Sequence, residues 1–256
     1  MNSPEPFLDF GGRQVVVTGA SSGIGRAIAV ELARRGASLV LMGRDVGRLE
    51  ETVRLIAAPG VEVMALDLRE NVGWLDRFRD VVSRRGRIYG LCHAAGAVET
   101  LPVTAFRAES FRSMMEVNVT AALELSKVIC RRDILAEEGG SLLFIASIYG
   151  SVGKPGQVSY SATKGALVAA ARAMAVELAR RKVRVNTLSP GLVHTRLADE
   201  ALARLDPEQT RLLEASHPLG SGTPEDVART ATFMLAPQTR WLTGVDWALD
   251  GGYTAQ

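Results

Sequence analysis

Two side chains able to exchange protons, Tyr160 and Lys164, stand four residues apart in a segment with a helical pattern. Residues at this spacing share one face of a helix, so the ammonium of Lys164 can reach the phenol. A phenol has a pKa of about 10 and is a poor base near neutral pH unless a fixed cation favours its ionised form. The pair therefore predicts a tyrosine that gives a proton to a carbonyl oxygen or takes one from a hydroxyl. The same spacing is common on helices without a catalytic role.

Two further polar residues, Ser147 and Asn118, interrupt apolar segments. Ser147 follows the apolar run 142–146, at the position where a buried strand would end. There its hydroxyl can orient and polarise a substrate oxygen. Asn118 lies in the helical segment 117–120, where it is either a hydrogen-bonded structural amide or part of the site. The residues alone leave both interpretations open.

A glycine-rich turn at 18–25 follows the first apolar run and opens the first helical pattern. Glycines let the backbone turn sharply and approach a pyrophosphate, whose charge then meets the helix N-terminal amides. A tight turn without a ligand is the alternative, but the surrounding strand–helix–strand unit favours a dinucleotide site. The predicted contacts in the turn are Gly19, Ser21, Ser22, Gly23, Ile24 and Gly25.

Short aliphatic or β-branched runs alternate with longer helical patterns along the chain. The predicted strands are 14–18, 38–42, 62–66, 88–92, 141–146, 183–188 and 246–249. Such near-continuous apolar runs predict the α/β class, as a single-domain Rossmann-type doubly wound parallel sheet of about seven strands with helices on both faces. Ligands of this fold bind beyond the carboxyl ends of the strands, where the candidate residues stand.

Two predicted helices, 110–135 and 159–181, are apolar or alanine-rich over much of their circumference. This favours packing against another subunit, with a deep position inside the same chain as the alternative. The 256 residues contain no linker or repeat, so we expect one domain over 1–256. Segment 192–222, with helical pieces at 198–205 and 207–215, is predicted to be a lid over the substrate.

The composition argues against several other classes of function. Thirty basic and 28 acidic residues are interleaved and leave a net charge of +2, which is unlike a nucleic-acid or membrane surface. Cys92 and Cys130 lie in apolar stretches without metal-ligand spacing, so we expect buried thiols and no metal. Residues 1–12 show no leader pattern and no run of eighteen apolar residues occurs, so we expect a cytoplasmic protein.

The order and spacing of these motifs resemble those of the short-chain dehydrogenase/reductase family over nearly the whole chain. The matching pieces are the turn 18–25, Asp67-Leu68, His93-Ala94-Ala95-Gly96, Asn118, Ser147, the segment 160–164 and Pro190-Gly191. The resemblance implies hydride transfer between a nicotinamide cofactor and a carbonyl or hydroxyl carbon of a small molecule. It also implies a catalytic group of Asn118, Ser147, Tyr160 and Lys164, with Asn118 kinking its helix and holding a water that links Lys164 to solvent.

The resemblance implies cofactor contacts outside the glycine-rich turn as well. Asp67 and Leu68 would bind adenine, Ala95 and Gly96 would border the ribose, and Lys164 would hold the nicotinamide ribose beside Tyr160. After the sixth strand, the contacts would be Pro190, Gly191, Val193 and Thr195, with the last two holding the carboxamide. His93 stands where the family usually has asparagine, and we expect it to be structural.

The identity of the cofactor depends on Arg44, which follows the second predicted strand. An acidic residue at that place binds the ribose hydroxyls and repels a 2′-phosphate, and here the acid is missing. Arg44 can instead offer a bidentate contact to the 2′-phosphate, with Ser21 or Ser22 beside it. The sequence thus favours NADP(H) over NAD(H), with a solvated arginine at a helix start as the alternative.

The substrate is less well defined by the sequence. The Tyr160–Lys164 spacing lacks the longer separation of enoyl reductases, which favours ketone or alcohol chemistry. Within the family the chain resembles 3-oxoacyl-(acyl-carrier-protein) reductases, whose acidic carrier protein docks on basic residues. Arg131, Arg132 and Arg181 suit such docking, whereas the loop 137–138 is acidic.

Two other functions remain as alternatives to an NADP(H)-dependent ketone reductase. One is a non-catalytic dinucleotide-sensing regulatory protein, which would have no need of Ser147, Tyr160 and Lys164. The other is an NAD-dependent alcohol dehydrogenase of the same family. The ending 242–252 resembles the family's last strand and tail, which often join a neighbouring subunit, and so implies a homotetramer.

Overall fold

One parallel sheet organises the computed structural model, which describes residues 8–70, 73–203 and 206–256. Within these residues seven strands run in the order β3-β2-β1-β4-β5-β6-β7. They are β1 Gln14–Thr18, β2 Ser38–Gly43, β3 Val61–Ala65, β4 Ile88–His93, β5 Gly140–Ile145, β6 Val183–Pro190 and β7 Asp246–Leu249. The strand order reverses beside β1, which opens a crevice between the carboxyl ends of β1 and β4. The predicted fold class is confirmed.

Helices cover both faces of this sheet. They are α1 Gly23–Arg34, α2 Val46–Ile56, α3 Trp74–Arg85, α4 Ala108–Met115, α5 Ala121–Ile129, α6 Val158–Leu178, α7 Arg196–Leu202, α8 Pro207–Ala215 and α9 Pro224–Leu235. Helices α1, α2 and α9 pack on one face, and α3, α5 and α6 pack on the other. Val15 and Val17 of β1 join the first layer while Val16 joins the second, because successive strand side chains point to opposite faces.

The predicted helix 110–135 extends too far. A π-helical turn at Glu116–Thr120 joins α4 to α5, in line with the kink expected at Asn118, but α5 ends at Ile129. Beyond that point the chain pairs with β4, since the amide of Ile88 donates to the carbonyl of Ile134 at 2.9 Å. Ile134 is fully buried there, so burial beside the sheet overrides the local helical pattern.

The other long helix is confirmed, because α6 spans Val158–Leu178 and continues as a 3₁₀ turn through Arg181. Segment 192–222 contains the two predicted helical pieces as α7 and α8, although residues 204 and 205 of the first predicted piece lie outside the described residues, as do residues 1–7; its role as a lid stays a prediction. Cys92 and Cys130 are buried free thiols, as expected. No helix of the described chain is both long and apolar enough to cross a membrane.

Candidate active site

The glycine-rich turn between β1 and α1 is packed too closely for side chains. Gly19 has a φ of +66°, and a β-carbon there would lie 2.8 Å from the amide nitrogen of Ala95. A β-carbon on Gly25 would overlap the carbonyl oxygen of Gly19. Within the described chain no side chain caps the first turn of α1, so its amides remain available to an anion. The turn has the shape and polarity that a pyrophosphate requires.

A cleft of about 430 Å³ extends from this turn across the carboxyl ends of β1, β2 and β3. The predicted cofactor contacts that line it are Gly19, Ser21, Ser22, Gly23, Ile24, Gly25, Arg44, Asp67, Leu68, Ala95, Gly96 and Thr195. Pro190, Gly191, Val193, Tyr160 and Lys164 are not among its lining residues. The structure therefore gathers the predicted adenosine and pyrophosphate contacts in one cleft, together with Thr195 from the predicted nicotinamide contacts.

The charges in the cleft distinguish Arg44 from its neighbours. Arg48 pairs with Asp45 at 2.7 Å, and Arg69 pairs with Asp67 at 2.6 Å. Arg44 has no carboxylate within 4.0 Å among residues 8–70, 73–203 and 206–256. It is thus the arginine in this part of the cleft whose charge is left for a ligand.

The sequence did not indicate that Arg48 and Arg69 line the cleft, although each follows its acidic partner by no more than three residues. Hydrogen bonds from Arg69 lower the pKa of Asp67 to about 2, so this carboxylate is ionised and already engaged. Gly43 directly precedes Arg44, and a β-carbon on Gly43 would lie 3.6 Å from the hydroxyl oxygen of Ser21. The Ser21 hydroxyl is therefore close to the end of β2. A hydroxyl and an unpaired guanidinium therefore flank the end of β2, which suits a phosphate.

The predicted catalytic side chains converge at the other end of the cleft. Ser147 follows β5 and lies close enough to Tyr160 on α6 to lower the pKa of its phenol, and the Ser147 hydroxyl accepts from the amide of Tyr149 at 3.3 Å. The Lys164 ammonium lies 5.5 Å from the centre of the Tyr160 ring and donates to the carbonyl of Ile145 at 2.8 Å. A β-carbon on Gly96 would lie 3.6 Å from the Lys164 nitrogen, so this group adjoins the cleft.

Burial sets the protonation of this group. It raises the pKa of Tyr160 to about 12, against the opposing hydrogen bond from Ser147. It lowers the pKa of Lys164 to about 8, because the buried ammonium loses its hydration. The hydrogen bond to the Ile145 carbonyl compensates for this loss only in part. Near neutral pH the pair is a neutral phenol beside a charged ammonium, which is the state that can donate a proton to a carbonyl oxygen.

Asn118 lies at the centre of the π-helical turn and is fully buried. Its side chain accepts from the amide of Ala97 at 2.7 Å and donates to the Ala97 carbonyl and to Thr163 on α6, each at 2.9 Å. The helix is therefore distorted at this residue, as the resemblance implied. Because the amide is satisfied by protein groups, its side chain fixes the cleft wall to α6, and its part in a proton path to Lys164 stays a prediction.

His93 occupies a fully buried position between β1 and the π-helical turn. Its Nε2 donates to the Val117 carbonyl at 3.1 Å, and its Nδ1 accepts from the Thr18 hydroxyl at 3.1 Å. The Thr18 oxygen in turn accepts from the amide of Ala95 at 3.1 Å. Burial lowers the pKa of His93 to about 3, so the ring is neutral and joins three elements around the cleft. This matches the structural role expected for it.

The segment after β6 borders the cleft at Thr195 and Arg196. Thr195 lies against Gly23, where a β-carbon would approach its methyl group at 3.4 Å, and its hydroxyl accepts from the amide of Ala198 at 3.2 Å. His217 accepts from the amide of Leu192 at 3.0 Å and donates to the carbonyl of Leu213 at 3.0 Å. The buried His217, which the sequence did not single out, thus ties α8 to the start of segment 192–222.

The pKa values predict opposite pH dependences for the two reaction directions. We expect kcat/KM for carbonyl reduction to be constant near neutral pH and to fall by about tenfold per pH unit above about 8, as Lys164 loses its charge. Tyr160 stays protonated in that range, so the fall reports the lysine. Oxidation should instead rise with pH, because it needs the phenolate. Steady-state pH profiles in both directions measure this, and a reduction rate that stays level far above pH 8 would contradict it.

Comparison with known proteins identifies the family. The family model described as Enoyl-(Acyl carrier protein) reductase matches residues 19–254. D-erythrulose reductase of Gallus gallus is 32% identical over 250 residues, covering 97% of this chain and 98% of the relative. The 3-oxoacyl-(acyl-carrier-protein) reductase of Chlamydia pneumoniae is 30% identical over 246 residues, covering 95% and 97%.

A solved structure gives the same result. A protein from Beutenbergia cavernae, described as an NAD(P)-dependent gluconate 5-dehydrogenase and carrying NADP at low occupancy, superposes with a TM-score of 0.89 at 34% identity, covering 98% of this chain and 100% of that one. The chain therefore belongs to the short-chain dehydrogenase/reductase family, whose members are oxidoreductases that act on CH–OH groups with a nicotinamide dinucleotide.

Proposed function

We propose that this protein interconverts a ketone and a secondary alcohol with NADP(H), using Ser147, Tyr160 and Lys164. The observation that carries the proposal is their arrangement beside the cleft, with the Lys164 ammonium 5.5 Å from the centre of the Tyr160 ring and Ser147 close enough to lower the pKa of the Tyr160 phenol. The closely packed turn at Gly19 and Gly25 supports dinucleotide binding, because only a bare backbone fits there. A non-catalytic sensor would have no need of this arrangement.

When bound, the nicotinamide dinucleotide supplies or accepts the hydride. Ser147 holds the substrate oxygen, and Tyr160 donates its proton to that oxygen as a carbonyl becomes an alcohol. Lys164 stabilises the resulting phenolate of Tyr160 and binds the ribose of the nicotinamide. In the reverse direction the phenolate of Tyr160 removes the hydroxyl proton. A lid formed by residues 192–222 excludes water from the site.

The preference for NADP(H) is supported by the unpaired Arg44 and by Ser21 near the end of β2. The four-residue spacing of Tyr160 and Lys164 favours the carbonyl group over a carbon–carbon double bond as the site of reduction. The similarity to the Chlamydia pneumoniae enzyme keeps 3-oxoacyl thioesters among the candidate substrates. Other ketones are equally compatible, as the similarity to D-erythrulose reductase illustrates.

Docking of an acidic carrier protein has mixed support from the surface charges. Arg132 and Arg181 are exposed, and Arg131 pairs with Asp133 at 3.0 Å. Glu137 and Glu138 pair with Arg87 at 3.4 Å and Arg13 at 3.3 Å, respectively. These ion pairs weaken the repulsion expected from the loop 137–138.

A cytoplasmic homotetramer remains part of the proposal.

The test is to follow absorbance of the reduced nicotinamide with NADPH and NADH in parallel. The substrate panel contains an acetoacetyl thioester, cyclic ketones and sugar-derived ketones. We expect turnover of at least one ketone, with a higher kcat/KM for NADPH than for NADH. Binding of NADPH without its consumption by any ketone would favour the sensor, and a clear preference for NADH would favour an NAD-dependent alcohol dehydrogenase. If neither cofactor binds, the interpretation of the glycine-rich turn is wrong.

A further inference from the structure

The loop between Ser147 and Tyr160 carries a cation that the proposed reaction does not use. Lys154 lies in this loop and is half-buried. Its ammonium donates to the phenol oxygen of Tyr149 at 3.1 Å and lies 5.3 Å from the centre of that ring. Tyr149 stands two residues after Ser147. The phenol that holds the Lys154 ammonium therefore belongs to a residue that closely follows a member of the catalytic group.

Lys154 differs from most basic residues of the chain in its surroundings. Within residues 8–70, 73–203 and 206–256, no carboxylate lies within 4.0 Å of its ammonium. By contrast Lys127, on the surface of α5, pairs with Glu124 at 2.8 Å. Burial lowers the pKa of Lys154, which is the effect of removing a cation from water without a counter-charge. An anion placed beside it would restore the lost stabilisation.

Aromatic side chains enclose this cation on the side of the carboxyl-terminal tail. The Tyr149 ring contacts Tyr253 edge-on, with ring centres 6.4 Å apart. Tyr253 in turn packs on the lid residue His217 at 4.9 Å between ring centres. On its other side Tyr149 adjoins the catalytic group, because its amide donates to the hydroxyl of Ser147 at 3.3 Å. The cation and the two tyrosines thus lie next to Ser147.

We propose that Lys154 binds a carboxylate of the substrate, with the Tyr149 hydroxyl beside it, so that the natural substrate is a keto acid or hydroxy acid. We call Lys154 and Tyr149 the anion subsite; this assignment rests on the proposed function. A single ammonium with one phenol donor suits a monoanion better than a phosphate, which usually draws an arginine or several amides. Because the Lys154 ammonium is held by the Tyr149 phenol and by neither Ser147 nor Tyr160, the proposed carboxylate lies more than one carbon away from the reacting carbonyl.

The experiment compares keto acids with their uncharged methyl esters, which differ only in the charge that the anion subsite would recognise. The probes are 4-oxopentanoate, 5-oxohexanoate and the two methyl esters, measured with NADPH. We expect the unmodified protein to favour an acid over its ester in kcat/KM. In Lys154→Gln that ratio should fall by about tenfold or more, mainly through a higher KM for the acid, because a charged hydrogen bond is lost. Lys154→Arg should keep most of the preference.

Lys182→Gln is the matched control, because it removes another lysine ammonium at the exposed turn before β6 and should leave the ratio unchanged. Thermal melting of each variant checks that it is folded. Equilibrium binding of acid and ester to the protein–NADPH complex gives a second readout that does not need turnover. If esters and acids bind equally, or if Lys154→Gln leaves their ratio intact, the anion subsite is refuted while ketone reduction stands. If the acid binds through Lys154 but no ketone consumes NADPH, the subsite stands and the proposed function fails.

Discussion

Replacing Tyr160 by phenylalanine should reduce turnover in both directions by about a hundred- to ten-thousandfold, the range typical of a lost general acid or base. The substitution removes the proposed proton donor and leaves the aromatic ring in place. NADPH affinity should change little, because Tyr160 does not line the cleft that we propose to bind adenosine and pyrophosphate. Steady-state kinetics measures the first effect, and titration of NADPH fluorescence measures the second.

Tyr89→Phe is a suitable control for this experiment. Tyr89 is also a buried tyrosine, and its hydroxyl donates to the carbonyl of Leu235 at 3.3 Å, on the face of the sheet covered by α9. Its loss should affect stability and leave kcat nearly unchanged. Turnover close to that of the unmodified protein in Tyr160→Phe would refute the assignment of Tyr160. A parallel loss of NADPH binding would instead point to a structural defect.

The second large effect is expected at Arg44. In Arg44→Ala, KM for NADPH should rise by about ten- to a hundredfold while KM for NADH stays nearly constant, because only the former carries the phosphate that the guanidinium would bind. The effect should shrink as salt is added, since Arg44 lies on an open cleft. Initial rates over a range of each cofactor measure both constants.

Arg54→Ala provides the matched comparison for Arg44. Arg54 is an exposed arginine in the last turn of α2, so its removal changes the net charge equally without altering the cleft. It should leave both constants unchanged. Equal changes for NADPH and NADH in Arg44→Ala would mean that Arg44 does not recognise the 2′-phosphate, and the preference for NADP(H) would then lose its main support.

The sheet and the glycine-rich turn could be predicted from the sequence because their signals are local. A strand buried on both faces is a short continuous apolar run, as at 14–18. A turn with positive φ at Gly19 requires glycine, and the spacing of Tyr160 and Lys164 places both on one helix face. The predicted helix 110–135 was too long because the pairing of its last residues beside β4 depends on residues far away in the chain.

The charge state of the site was decided only by the tertiary structure. The sequence named Arg44, but the ion pairs that occupy Arg48 and Arg69 and leave Arg44 without one depend on how the strand ends meet. The pKa values of Tyr160 and Lys164 likewise follow from burial and from the contact with Ile145. Lys154 gave no signal in the sequence at all. Its approach to Tyr149 arises when the loop folds back beside the end of β5, because desolvation and side-chain proximity are properties of packing and have no local pattern.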